Sequence, residues 1–406
     1  MSNLSVHDDA RARRNAVILS VAQALYGIGA TILITLGGLT GSYLAEDKSL
    51  ATLPISTFVL GTAFTTVPAS LIMQRLGRRR GFQIGAASAV ISGMLACVAI
   101  LHGLFWLFCV ATVFTGVYQA FANYYRFAAA DTASPEFRPK VVSWVLVGGV
   151  FAALVGPYII VWTKDAFAPV LFAGSFAASA AIAACAMLVL NLVDIPHDRL
   201  KVHAPGEVRP LLEILRQGRL IAAIVCGMVS YAAMNFMMTA APLAMVACNH
   251  SVDAAAGAIR WHILAMFAPS FFTGNLIARF GRETIILAGL GLLAGAGGVA
   301  LTGIEQWQFD MALILLGLGW NFSFVGATTL VTDCHRPAER AKVQAVNDLM
   351  IFGLVSIASF ASGKILHEAG WDYIALTVMP FAALAAGLVV VLMFLRRDPL
   401  HPVPRR

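Results

Sequence analysis

Asp131-Thr-Ala-Ser-Pro135-Glu-Phe-Arg138-Pro-Lys140-Val141 returns later in the chain as Asp333-Cys-His-Arg-Pro337-Ala-Glu-Arg340-Ala-Lys342-Val343. Asp, Pro, Arg, Lys and Val all recur at an offset of 202. A second hydrophilic stretch does the same: Arg75-Leu-Gly77-Arg78 reappears as Arg279-Phe-Gly281-Arg282, at an offset of 204. Two independent stretches repeating at nearly one offset mean that the chain is a duplicated unit.

What separates these stretches is apolar. Hydrophobic residues make up 59% of the 406 residues and charged residues only 12%, about half of the roughly 25% usual in soluble domains. A soluble fold of this length needs more charge to cover its surface, so the chain reads as a polytopic membrane protein. A span needs about 20 mostly apolar residues. Twelve runs qualify: 15–40, 51–74, 82–102, 104–128, 141–163, 167–193, 220–247, 254–277, 284–303, 309–331, 344–366 and 373–395. The first is too long for the hydrophobic part of a cleavable signal peptide, which runs about 7–15 residues. The repeated loops follow spans two and eight, and spans four and ten.

The predicted class is therefore all-α, with twelve spans in two six-helix bundles related by a pseudo-two-fold. The longest hydrophilic stretch between spans, Asp194–Arg219, holds Pro196, Pro205, Gly206, Pro210 and Gly218 and reads as a linker. The expected domains are 1–193, the linker 194–219, and 220–406.

The net charge of +7 does not indicate nucleic acid, because the basic residues sit in short clusters between spans. Of the 28 Lys and Arg, 23 fall on the side that carries both termini, four on the other, and Arg126 within a span. The positive-inside rule places both termini in the cytoplasm. The six cysteines have no C-x-x-C spacing, so neither a disulfide framework nor a zinc site is expected. No HExxH or GxSxG pattern supports an enzyme.

A duplicated six-span unit with a basic R-x-G-R loop after spans two and eight resembles the major facilitator superfamily of secondary transporters. The resemblance covers essentially the whole chain. Two motif positions depart from it: Ser70 and Gln74 in the first half, and Ala278 in the second, stand where that family usually has Gly and Asp. The resemblance implies a substrate path between the halves near mid-membrane.

Few polar groups lie within spans. Arg126 is the one clear base and Asp348 the one acid read as intramembrane, and both are candidate gate residues. Sulfur and imidazole concentrate in spans seven and eight. Met234 and Met238 lie one turn apart on one helix face, and His262 and Met266 repeat that spacing on the next helix. Thioether with imidazole and no carboxylate suits Cu(I). The competing reading is packing, since Met fills irregular core gaps; an intramembrane His is harder to explain that way.

M-x-x-x-M followed by H-x-x-x-M in these spans resembles the CcoA-type copper importers, a branch of that superfamily, as does Asn123-Tyr-Tyr-Arg126. The resemblance implies metal binding by Met234, Met238, His262 and Met266. It implies copper import across the bacterial inner membrane, supply of cbb3-type cytochrome c oxidase, and accessory thiol roles for Cys226 and Cys248. Copper would be cargo, with no resident cofactor. Expected partners are the lipid bilayer and copper chaperones, and the chain is expected to act as a monomer.

The alternative cargo is an organic solute such as riboflavin or a drug, which could stack on Tyr124, Tyr125, Trp320, Phe322 or Phe324. Gly148-Gly149 with Gly156-Pro157 only partly matches the antiporter pattern and indicates no efflux. His197, His203, His335 and His401 lie in loops and are expected to be solvated.

Overall fold

The computed structural model describes residues 8–134, 137–196, 209–336 and 339–397. The middle of the linker, with His197 and His203, lies outside the described residues, as do His401 and Pro135, Glu136, Pro337 and Ala338 of the repeated loops. Among the described residues the chain is helical. The first half holds α1 (Asp9–Leu44), α2 (Leu53–Leu76), α3 (Arg78–Leu101), α4 (Phe105–Ala122), α5 (Tyr125–Ala130), α6 (Arg138–Thr163) and α7 (Ala173–Leu190). The second holds α8 (Leu211–Leu215), α9 (Gly218–Ala247), α10 (Val252–Phe267), α11 (Ser270–Phe280), α12 (Arg282–Ala300), α13 (Gln306–Thr332), α14 (Arg340–Ala369) and α15 (Trp371–Arg397).

Eleven of the described spans are single helices or near-continuous runs long and apolar enough to cross a membrane, and α10 with α11 makes the twelfth as a bent pair. The sequence reads 254–277 as one span. It breaks by 43° between Phe267 and Ser270. Pro269 sits in the break; it has no N–H to donate and its ring crowds the preceding turn. The chain forms two compact units, residues 1–202 with 255–260 and residues 203–254 with 261–406.

The repeat is visible inside each unit. Gly77 (φ 87°, ψ 160°) ends α2 and starts α3, and Gly281 (φ 85°, ψ 158°) ends α11 and starts α12. A left-handed φ at a helix C-terminus suits glycine, which has no Cβ to clash. The arginine after each glycine pairs with the aspartate of the other repeated loop: Arg78 with Asp131 at 3.0 Å, and Arg282 with Asp333. Burial pushes the Asp131 carboxyl above the ordinary carboxylate range, and Arg78 beside it opposes that rise.

Helix packing repeats too. In the first unit α3 lies between α4 and α7; in the second α12 lies between α13 and α15. A Cβ at Gly93 of α3 would stand 2.7 Å from the Ala180 backbone nitrogen of α7. At Gly297 of α12, 204 residues on, it would stand 2.7 Å from the Ala375 carbonyl of α15. Small residues let spans approach to backbone contact, which is how helices associate where lipid removes the hydrophobic drive.

The second unit adds a fastening of its own. Glu339, just before α14, is fully buried. It accepts from Arg209 Nε and Nη2 at 2.8 Å each and from the Arg336 backbone N–H at 2.8 Å. The described end of the linker is thus tied to the α13–α14 loop by a bidentate pair. These bonds, Arg209 foremost, hold the Glu339 carboxyl well below the usual range. A depressed folded pKa contributes stability that is complete above the unfolded value, about 4.3, and is lost as pH falls below it. Glu339→Gln should therefore lower the melting temperature at neutral pH and flatten its decline in acid, as followed by thermal scans at stepped pH.

Candidate functional site

Met234 and Met238 lie on α9, and His262 and Met266 on α10; all four are buried. Met237, one step round the helix, is fully buried as well. Burial therefore does not set Met234 and Met238 apart from their neighbour.

His262 Nδ1 lies 2.8 Å from the Leu313 carbonyl of α13. A carbonyl only accepts, so Nδ1 carries the proton and Nε2 keeps its lone pair. Nε2 is buried with no hydrogen-bond partner. One turn further along α13, Gly317 admits α10 to backbone contact: a Cβ there would lie 2.6 Å from the His262 carbonyl. One more turn on, the fully buried Asn321 reaches the break. Its Nδ2 donates to the Met266 carbonyl and to Ser270 Oγ at 2.7 Å each, and its Oδ1 accepts from Thr273 Oγ1 at 2.6 Å. Asn321 thus replaces bonds that the interruption at Pro269 takes from the helix.

On the same helix an aromatic group assembles. Trp320 and Phe324 are stacked, with centroids 5.0 Å apart and planes 14° apart. Tyr231 of α9 meets both edge-on, at 5.5 and 5.2 Å, and Phe352 of α14 at 5.7 Å. Tyr231, Phe324 and Phe352 are half-buried. Trp320 is 9% exposed and its Nε1–H is buried with no partner. The sequence singles out Trp320 and Phe324 but not Tyr231 or Phe352. Tyr231 lies three residues before Met234, and aromatic content was the available signal.

Of the other candidate aromatics, Tyr125 is core in the first unit, 4.8 Å from Phe82 and buried. Tyr124 is half-buried, and its hydroxyl donates to the Thr66 carbonyl at 3.4 Å. Phe322 is half-buried.

Arg126 is exposed, its guanidinium 4.8 Å from the Phe127 ring. Asp348 is half-buried and accepts from Asn347 Nδ2 at 3.1 Å. Asp310 also lies within a span, in the first turns of α13, so Asp348 is not the one intramembrane acid. Cys226 is buried with its thiol toward the Ala385 carbonyl, and Cys248 is half-buried at the end of α9. His335, expected to be solvated, is half-buried, with Nδ1 3.1 Å from the Arg336 carbonyl.

Comparison with known proteins defines the class. The model of the Major Facilitator Superfamily matches residues 19–356 and 223–406, and the chain belongs to that family of membrane transporters. Its fold is similar to that of the xylose transporter XylE from E. coli, with a TM-score of 0.72 at 14% identity over 97% of this chain and all of that one. Among curated relatives, the riboflavin transporter RfnT of Brucella anthropi is 47% identical over 97% of this chain and 98% of its own. The uncharacterized MFS-type transporter YdeG of Bacillus subtilis is 30% identical over 90% of this chain and 88% of its own.

The RfnT match overturns the copper reading. Copper import, the CcoA-type branch, supply of cbb3-type cytochrome c oxidase and copper-chaperone partners rested on the M-x-x-x-M and H-x-x-x-M pairs and on Asn123-Tyr-Tyr-Arg126. A relative nearly half identical over nearly the whole length is a riboflavin transporter instead. The physical reason lies in α9 and α10, where an i,i+4 spacing of Met and His serves packing and backbone anchoring as well as it serves coordination.

Proposed function

We propose that this chain carries riboflavin across the bacterial inner membrane by alternating access, with both termini cytoplasmic. The single observation that carries the reading is the 47% identity to a riboflavin transporter over 97% of the chain. The bias of 23 basic residues to four supports the orientation. The half-buried rings of Tyr231 and Phe324 beside Trp320, with Phe352 against Tyr231, support an aromatic cargo. Residues 1–193 and 220–406, joined by 194–219, serve as the two domains of the cycle. Arg126 and Asp348 serve its gate. The test is growth: a bacterial strain unable to synthesise or take up riboflavin should grow at low riboflavin when it expresses this chain. No growth despite membrane insertion would sink the reading.

In this reading His262 anchors α10 to α13, and Met234, Met238 and Met266 serve as buried packing residues. Met238→Leu conserves volume and should cost less than about 1.5 kcal/mol, with riboflavin uptake unchanged. His262→Ala removes the bond to Leu313 and opens a cavity, and should cost about 2–4 kcal/mol. Thermal unfolding in detergent reads both.

A further inference from the structure

The Nε1–H of Trp320 is the feature that packing leaves unexplained. An indole N–H can only donate, and tryptophan buried in a protein usually finds an acceptor. Here the atom is buried with none. A phenylalanine would fill a similar place in the stack with Phe324 and leave no donor unmatched. The rings that meet Trp320, Tyr231 and Phe324, are themselves incompletely covered, and so is Phe352, which meets Tyr231. Three helices, α9, α13 and α14, supply these rings, so the wall is set by packing within one unit.

We propose that Tyr231, Trp320, Phe324 and Phe352 form the wall that receives a planar heteroaromatic ring bearing carbonyl groups, and that Trp320 Nε1–H donates to one of those carbonyls. The proposal rests on the riboflavin reading and deepens it: the ring is the isoalloxazine, whose pyrimidinedione edge carries two carbonyl oxygens. Stacking and edge contacts with the four rings supply affinity for the flat tricycle. The indole donor supplies discrimination, because a ligand lacking the carbonyl would leave it buried and unmatched. The ribityl chain makes no use of this wall, so recognition here is of the ring.

The experiment is a fluorescence titration of riboflavin with the purified full-length protein, since stacking on tryptophan or tyrosine quenches flavin emission. Wild type should quench. Trp320→Phe keeps the stack and removes the donor, so its dissociation constant should rise about tenfold, the worth of one hydrogen bond. Its ligand-free melting temperature should change little, which separates lost recognition from lost folding. Phe352→Leu should weaken quenching. Lumichrome, which has the dione and no ribityl chain, should compete; ribitol should not.

Unchanged affinity in Trp320→Phe, or competition by ribitol alone, would overturn the proposal. Binding of lumichrome that depends on Trp320, with no binding of riboflavin, would uphold the wall and reject riboflavin as cargo. Wild type binding neither compound would overturn both.

Discussion

Valine at Gly116 or at Gly289 should leave little folded transporter. In the first unit a Cβ at Gly116 of α4 would press on the Phe58 carbonyl of α2 and stand 2.7 Å from the Thr62 backbone nitrogen. In the second, a Cβ at Gly289 of α12 would press on the Ser323 backbone nitrogen of α13 and stand 2.7 Å from the Gly319 carbonyl. In both cases the obstacle is backbone, which cannot swing aside as a side chain can. The helices would have to separate along their length, at a cost above the ~1–3 kcal/mol typical of overpacking. Against a total stability of about 5–15 kcal/mol, each variant should show a collapsed monodisperse peak by fluorescence size-exclusion chromatography. Gly291, with open space around it, is the control; its Ala variant should elute as wild type.

The second large effect belongs to Asn321. Asn321→Leu keeps the volume and removes all three side-chain bonds that Asn321 makes at the break between α10 and α11. The Met266 carbonyl and Ser270 Oγ then lose the buried partner shown at 2.7 Å, and Thr273 keeps only its bond to the Pro269 carbonyl at 2.8 Å. Unmatched buried polar groups cost about 1–3 kcal/mol each, so a loss of about 2–4 kcal/mol is expected. Thermal unfolding of Asn321→Leu beside Thr273→Val, which removes the two contacts of one hydroxyl and leaves the Asn321 bonds to Met266 and Ser270 in place, should give the larger loss for Asn321. Equal, negligible losses would mean that the break is held by packing alone.

The fold was legible because duplication writes itself twice. Gly77 and Gly281, Arg78 and Arg282, Asp131 and Asp333 hold equivalent places in the sequence, and each arginine pairs with its aspartate within its own unit. The bend at Pro269 was less legible, since apolar composition continues through it and hydropathy does not register a missing N–H. The site was legible only in part. Met234 and Met238 carry the same spacing whether they face a cargo or fill a core, and spacing alone does not weigh Met237, which is equally buried. Trp320 and Phe324 were legible only as aromatic content that could stack on a cargo, and their stacking on each other is a matter of packing. Tyr231 and Phe352 come from helices distant in sequence, and only packing brings Tyr231 to that pair and Phe352 to Tyr231.

The most direct test of the central claim is transport by the purified chain. Proteoliposomes should accumulate radiolabelled riboflavin above protein-free vesicles, saturably, with excess unlabelled riboflavin and lumichrome suppressing uptake and Trp320→Phe shifting the half-saturating concentration upward about tenfold. Riboflavin entry equal to that of protein-free vesicles, from a preparation that is folded and inserted, would contradict the account.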